Sequence, residues 1–229
     1  IRRNLHDTGK FISTYTREKP FVSSANRRKR VRWCRARRGW TIEDWRRVLW
    51  SDESPYVLRY CRARHIWRRT DVPWTEAHLT GTVKGDKKIM VWGCFAAHGV
   101  GNLHRIHGIM NKEIYQNILE TQLTPSIERL FPNGNYVFQQ DNDPKHTARI
   151  NKDWVIDNNI ITMDWPSQSP DLNPIENLWS ILDQRLQDRR PQNEDELFQV
   201  LQTGWNDLPI NLLDKLVCSM PNRVRGVIK

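Results

Sequence analysis

Hydrophobic residues recur in two different rhythms along this chain, and the change of rhythm divides it. Residues 47–51, 56–60 and 88–95 are short apolar runs rich in β-branched and aromatic side chains, which predicts strands, and 99–106 reads as a further one. From Asn111 the spacing lengthens. Ile114, Ile118, Leu119 and Gln122 fall at helical intervals and predict a helix that ends near Phe131, before Pro132-Asn133-Gly134. Residues 136–140 return to a short strand, Asp143-Pro144 offers an N-cap and first-turn proline for a helix to about Asn158, and 160–163 form another strand. After a loop with three prolines (165–174), Ile175, Leu178, Trp179, Leu182 and Leu186 keep helical spacing. Asn193 with Glu196 makes a capping box for a helix bearing Leu197, Val200, Leu201 and Trp205, and a last helix covers roughly 211–219. Strands first, then strands mixed with helices, then helices alone predict a mixed α/β fold around one central sheet.

The front of the chain has a different character. Residues 1–24 read as a tail, broken at Thr8-Gly9 and at Lys19-Pro20. Ser23-Ser24 can cap a helix to about Arg38, with Gly39 as its stop and only Ala25, Val31, Cys34 and Ala36 as an apolar face. Arg27, Arg28, Lys29, Arg30, Arg32, Arg35, Arg37 and Arg38 cover the rest of it. Residues 1–70 hold 20 Lys+Arg against 6 Asp+Glu, whereas 71–229 hold 16 against 20. A basic front on a mildly acidic body suggests a polyanion docked at one side, and the arginines of this helix are the candidate DNA contacts. The competing readings are a solvated helix and a nuclear-import signal in Arg27-Arg28-Lys29-Arg30, and we expect a nuclear protein.

Composition narrows the class. The 229 residues include eleven Trp, which disfavours disorder, and no apolar run approaches the roughly 18 residues of a membrane span. Cys34, Cys61, Cys94 and Cys218 are scattered without a C-x-x-C pair, which argues against a zinc ribbon and a disulfide scaffold and favours a reducing compartment.

Three carboxylates stand where strands or helices meet loops: Asp52 after the strand 47–51, Asp141 after 136–140, and Glu176 in the first turn after Pro174. Converging carboxylates repel unless a cation neutralises them, so such a cluster points to a hard divalent ion with oxygen ligands, Mg²⁺ with Mn²⁺ as substitute. Spacing alone leaves the other reading open, that such aspartates are turn formers and caps.

The words around these residues are more specific. Val-Leu-Trp-Ser-Asp-Glu-Ser (48–54), Met-Val-Trp-Gly-Cys-Phe (90–95), Gln-Gln-Asp-Asn-Asp-Pro-Lys-His-Thr (139–147) and Trp-Pro-Ser-Gln-Ser-Pro-Asp-Leu-Asn-Pro-Ile-Glu-Asn-Leu-Trp (165–179) together resemble the catalytic domain of Tc/mariner superfamily DNA transposases, in their Sleeping Beauty-like branch. That family's signature is Asp, Asp and Glu with 34 residues between the last two, and 34 residues separate Asp141 from Glu176 here. The resemblance implies an RNase H-like fold over 25–229, a mixed five-stranded sheet flanked by helices, with 70–87 as a clamp-loop insertion that reaches a second subunit. The alternative for 70–87 is a disordered surface hairpin. It also implies that 1–24 is the end of a DNA-binding domain plus linker, most of that domain being absent from this chain.

The activity implied is cut-and-paste transposition. Two Mg²⁺ ions held by Asp52 (the bridge), Asp141 and Glu176 support hydrolysis of DNA at the transposon ends, and the freed 3′-OH then joins TA target DNA. The implied partners are double-stranded DNA, as terminal inverted repeats and target, and a second copy of the chain; no membrane is expected. A domesticated, catalytically inactive DNA-binding protein is the alternative, and a nuclease of RNA–DNA hybrids a third reading. Asn142, Lys145 and His146 are candidates for holding phosphate or an ordered water, or else for orienting the turn after Asp141. Asp143 reads as a cap, Asp171 and Asn173 as residues shaping the approach to Glu176, and Glu53 has no assignment. His98, His104 and His107 read as surface or packing residues.

Overall fold

The computed structural model describes residues 22–58, 87–186, 189 and 191–229. The tail 1–21 and nearly all of the 70–87 insertion lie outside these residues. The described strands form one mixed sheet in the order β3-β2-β1-β4, made of β1 (Val48–Val57), β2 (Lys88–Ala96), β3 (Gly99–Ile106) and β4 (Val137–Gln139). β2 runs antiparallel to both β1 and β3, while β4 runs parallel to β1. The strand expected at 160–163 contributes a single parallel bridge, Phe138 to Thr162, with hydrogen bonds from Phe138 N to Ile161 O and from Met163 N to Phe138 O. The fifth position of the sheet is therefore occupied by one bridge.

One expectation changes in a way that matters for the site. The strands expected at 47–51 and 56–60 are one ten-residue strand, and Asp52 lies inside it. The polar run Ser-Asp-Glu-Ser-Pro looked like a break, but β2 pairs across it without interruption, from Trp50↔Phe95 to Val57↔Lys88.

Alternation along the strands sorts side chains into two cores. Val48 and Trp50 of β1, with Val91 and Phe95 of β2, face a core that also contains Trp33, Trp45, Trp165, Leu178, Trp179, Leu201 and Trp205. Leu49 of β1, with Trp92 and Cys94 of β2, faces the opposite core with Tyr115, Ile118, Leu123 and Phe138. The first face is covered by α1 (Ser24–Ala36), α2 (Ile42–Arg46), α6 (Ile175–Leu186), α7 (Glu194–Asn206), α8 (Ile210–Cys218) and α9 (Met220–Ile228). The second is covered by α3 (Lys112–Ile118), a π-turn (Leu119–Leu123), α4 (Thr124–Leu130) and α5 (Arg149–Asp157).

Caps set several of these boundaries. Ser23 Oγ accepts from Asn26 N at the start of α1, Asn111 Oδ1 from Ile114 N at α3, and Asn193 Oδ1 from Glu196 N at α7. The last helix expected at 211–219 is two helices that meet at Ser219, where Pro221 fits the first turn of the second. Asp143 does not start a helix. Its Oδ1 accepts from Lys145 N and its carbonyl from His146 N and Thr147 N, a local turn that delays α5 to Arg149.

Candidate active site

β1 and β4 lie side by side, with Trp50 opposite Gln139. Two residues further on come Asp52, still within β1, and Asp141, just past the end of β4. Between them the ladder is closed by side chains: Ser51 Oγ donates to Gln139 O at 2.8 Å, and Gln139 Oε1 accepts from Ser51 N at 3.2 Å. Beyond that lock the chains separate, and the gap is a cleft of about 400 Å³ lined by Asp52, Asp141, Asn142, Asp143, Ser167, Asn173 and Glu176, among others. Glu176 arrives from the first turn of α6, which is packed on the Asp52 face of the sheet through Leu178, Trp179 and Leu182.

That packing needs a glycine. Gly93 is the β2 partner of Asp52, and a Cβ there would stand 2.8 Å from Trp179 Cη2 and 3.2 Å from Leu103 Cδ1. The bare backbone lets α6 approach the strand that carries Asp52. Sequence reading passed over Gly93, although it sits within the quoted Met-Val-Trp-Gly-Cys-Phe motif.

The three carboxyls have different electrostatic settings. Asp52 is largely buried; burial and the nearby charges of Glu53, Glu176 and Asp141 push its pKa up to about 8, against one amide donated by Glu53 N at 2.8 Å. Burial also raises Glu176, opposed by a hydrogen bond with Asp52. Burial works the same way on Asp141. There, however, a hydrogen bond from His146, the Asp143 amide and the charges of His146 and Lys145 outweigh it and hold the carboxyl below its usual range. Asn173 braces the cluster, donating from Nδ2 to Ser51 O at 3.1 Å and to Asp52 Oδ2 at 3.3 Å, while its Oδ1 accepts from Ile175 N.

Alternation sends Glu53 to the face opposite Asp52, towards Tyr115. There His146, buried and packed on Tyr115 with 4.0 Å between ring centroids and the planes inclined by 32°, sits between two carboxylates: Nδ1 is 2.7 Å from Asp141 Oδ1 and Nε2 3.2 Å from Glu53 Oε1. Burial lowers the ring's pKa, but the two carboxylates prevail and raise it to about 9. Lys145 Nζ lies 2.5 Å from Asp143 Oδ2 and 3.6 Å from Glu53 Oε2. Asn142 Nδ2 donates to Trp165 O, fastening the Asp141 turn to the proline-rich loop.

The basic helix is not uniformly a surface. Arg27, Arg28, Lys29, Arg32, Arg35 and Arg38 are exposed. Arg30 is turned inward, its Nη1 and Nη2 on Asp171 Oδ1 and Oδ2 at 2.7 and 2.6 Å and Nη1 also on Gln168 O. Arg37 lies over the rings of Trp33 and Trp40, and burial lowers its pKa. These two candidate DNA contacts are engaged within the fold. His98 bonds the Leu130 carbonyl and packs on Phe131.

The cleft suits a hard cation. Its donors are carboxylate oxygens, and the raised Asp52 carboxyl marks negative charge that lacks a counter-charge. Among the described residues, no group of three or more His, Cys, Asp or Glu side chains is gathered closely enough to hold an ion.

Residues 47–198 match the family model described as DDE superfamily endonuclease. Over its whole length the chain is 40% identical to the transposable element Tc1 transposase of Caenorhabditis elegans, covering 84% of that protein. It is 38% identical to the Tcb2 transposase of Caenorhabditis briggsae, again over 84% of that protein. The chain belongs to the Tc/mariner transposases. Its fold agrees with solved transposase structures: a Mos1 transposase paired-end complex with left transposon end superimposes with a TM-score of 0.83 at 20% identity, over 99% of this chain and 68% of that one. The catalytic domain of Mos1 mariner transposase does so with 0.72 at 17%, over 93% and 96%. The protein is therefore a DDE-type, cut-and-paste transposase catalytic domain with an RNase H-like fold, an enzyme that cleaves DNA and transfers its strands.

Proposed function

We propose that this transposase hydrolyses DNA at its transposon ends with two divalent ions, Mg²⁺ or Mn²⁺, and then joins the 3′-OH to TA target DNA, with Asp52, Asp141 and Glu176 as the catalytic carboxylates. The observation that carries the proposal is that these three residues, from β1, the end of β4 and the start of α6, line one cleft. Mos1 catalytic-domain structures with Mg and with Mn support the choice of ion. In this reading Asp52, Asp141 and Glu176 would hold the ions, with Asp52 shared between them and Asp141 and Glu176 each serving one. When bound, the ions supply activation of the attacking water or 3′-OH and neutralise charge on the leaving oxygen.

The chain's own residues position the reactants. Asn173 fixes the Asp52 carboxyl, Asn142 ties the Asp141 turn to the loop ahead of Glu176, and the exposed cations of α1 offer a phosphate-binding surface beside that loop. No serine, tyrosine or cysteine is needed as a nucleophile, since both steps are direct displacements at phosphorus. The Mos1 complex with transposon-end DNA supports double-stranded transposon ends as substrate. We further propose that two copies act together on paired ends, and that the protein works in the nucleus.

The test is Mn²⁺-dependent joining of a pre-nicked transposon-end oligonucleotide to a TA-containing plasmid, run beside Glu176→Ala. Joined product at TA, abolished by the substitution, is expected. Product joined equally well by Glu176→Ala, or joined without preference for TA, would remove the corresponding part of the proposal.

A further inference from the structure

Glu53 follows a catalytic candidate directly, yet it faces away from the cleft and is the most enclosed acid on its side of the sheet, with a side chain 13% exposed. Isolating a carboxylate there is costly unless it is matched by cations. The match is specific. His146, itself 3% exposed, hydrogen-bonds Asp141 Oδ1 through Nδ1 and sets Nε2 3.2 Å from Glu53 Oε1, an ion-pair distance without hydrogen-bond geometry, and Lys145 Nζ approaches Glu53 Oε2. Tyr115 holds the plane of the imidazole and in turn donates its hydroxyl to Gln140 Oε1, on the residue before Asp141. Asp141 Oδ1 receives a second donor, Asp143 N at 2.9 Å, whereas Asp141 Oδ2 has no hydrogen-bond partner among the described residues.

We propose that Glu53 and His146 are positioning residues, which fix the Asp141 carboxylate from behind so that Oδ2 alone is presented to a cation in the cleft. The inference rests on Asp141 being a metal ligand. Burial rules out contact with DNA phosphate for His146, and its engagement with His146 and Lys145 removes Glu53 from the ligand set. An imidazole donating to a ligating carboxylate, backed by a second carboxylate, restricts the ligand to one orientation. Loss of such backing ordinarily weakens metal binding by about 10–100-fold.

The probe is Mn²⁺, with binding read by the electron paramagnetic resonance signal of the free ion, in the protein bound to pre-nicked transposon-end DNA. Glu53→Gln preserves volume and removes the charge; His146→Ala removes both contacts. Mn²⁺ affinity should fall about 10-fold in the first and up to about 100-fold in the second. The Mn²⁺ concentration for half-maximal cleavage should shift in parallel, with turnover of Glu53→Gln at saturating Mn²⁺ largely retained. Unchanged Mn²⁺ affinity in both variants, with Asp141→Asn weakening it, overturns the positioning role and leaves Asp141 as a ligand. Unchanged affinity in Asp141→Asn overturns both. Should the variants fail to fold, the ¹⁵N-histidine spectrum of the parent protein decides. An exchange-protected Nδ1–H proton on His146, donated to Asp141 Oδ1, is expected, and its absence overturns the proposal.

Discussion

Arg30 meets Asp171 end-on, its two Nη atoms 2.7 and 2.6 Å from the two carboxylate oxygens. The pair ties the basic helix α1 to the loop that delivers Glu176, and Arg223 of α9 grips the same loop at Asp171 O. An arginine in a run of eight cations is thereby a strut, and its loss should be read as stability and not as DNA affinity. Arg30→Ala should cost about 1–3 kcal/mol in urea denaturation, towards the lower end because the Asp171 side chain is 58% exposed. In DNA-binding titrations against salt, Arg28→Ala should reduce the slope by about 1, as loss of one phosphate contact does, whereas Arg30→Ala should leave it unchanged. Equal slopes for the two variants would remove the distinction.

Gly93 sets how close α6 stands to the sheet. A methyl group there meets Trp179 Cη2 at 2.8 Å and Trp205 Cη2 at 3.4 Å, large rings held in a packed core. Gly93→Ala should therefore destabilise the fold by about 1–3 kcal/mol. It should also lower cleavage more than a change of that size elsewhere in the core, because displacing α6 moves Glu176 relative to Asp52. Comparing its activity with that of whichever opposite-core variant, Ile118→Val or Ile118→Ala, matches its measured loss of stability separates the two effects.

How much of this was legible in the sequence differs between the fold and the site. Helical spacing and caps located α6 and α7, and the two core faces follow from strand alternation once the strands are known. The join at 51–56 was not legible, because Ser51 to Pro55 carries little strand propensity and is held by pairing with β2, a tertiary effect. That miss hid Glu53: only in a continuous strand does its opposite orientation to Asp52 become apparent. The turn at Asp143 was misread for a related reason, since Asp-Pro serves equally as helix start and as free turn. The direction of Arg30 is beyond any charge count, because its partner is 141 residues away.

Asp52 carries a cost that its substitution should reveal. Its pKa in the folded chain, about 8, lies above the value near 3.9 of an unfolded aspartate. Between those values the folded state binds more protons than the unfolded one, so stability without divalent ions falls as pH rises through this window. Asp52→Asn removes the term. In the presence of EDTA it should raise Tm, by about 2–4 °C for each kcal/mol recovered, with a gain that grows from pH 5 to pH 8. A Tm difference independent of pH would contradict this setting for Asp52.

Asn173 connects the strand to the helix that bears Glu176. It is 3% exposed, and its side chain serves Ser51 O, Asp52 Oδ2 and Ile175 N together. Asn173→Ala strands a buried carbonyl and an amide at the head of α6, a loss of about 1–3 kcal/mol. It also frees the Asp52 carboxyl to rotate. Asn173→Asp is nearly isosteric and separates these roles, because it can still accept from Ile175 N but sets another negative charge 3.3 Å from Asp52 Oδ2. Cleavage by Asn173→Asp should depend more steeply on Mg²⁺ concentration than that of the parent chain, while Asn173→Ala should lose activity that extra Mg²⁺ does not restore. Chemical denaturation beside a Mg²⁺ titration of cleavage checks both, and parent-like behaviour of Asn173→Ala in both assays would remove Asn173 from the machinery of the site.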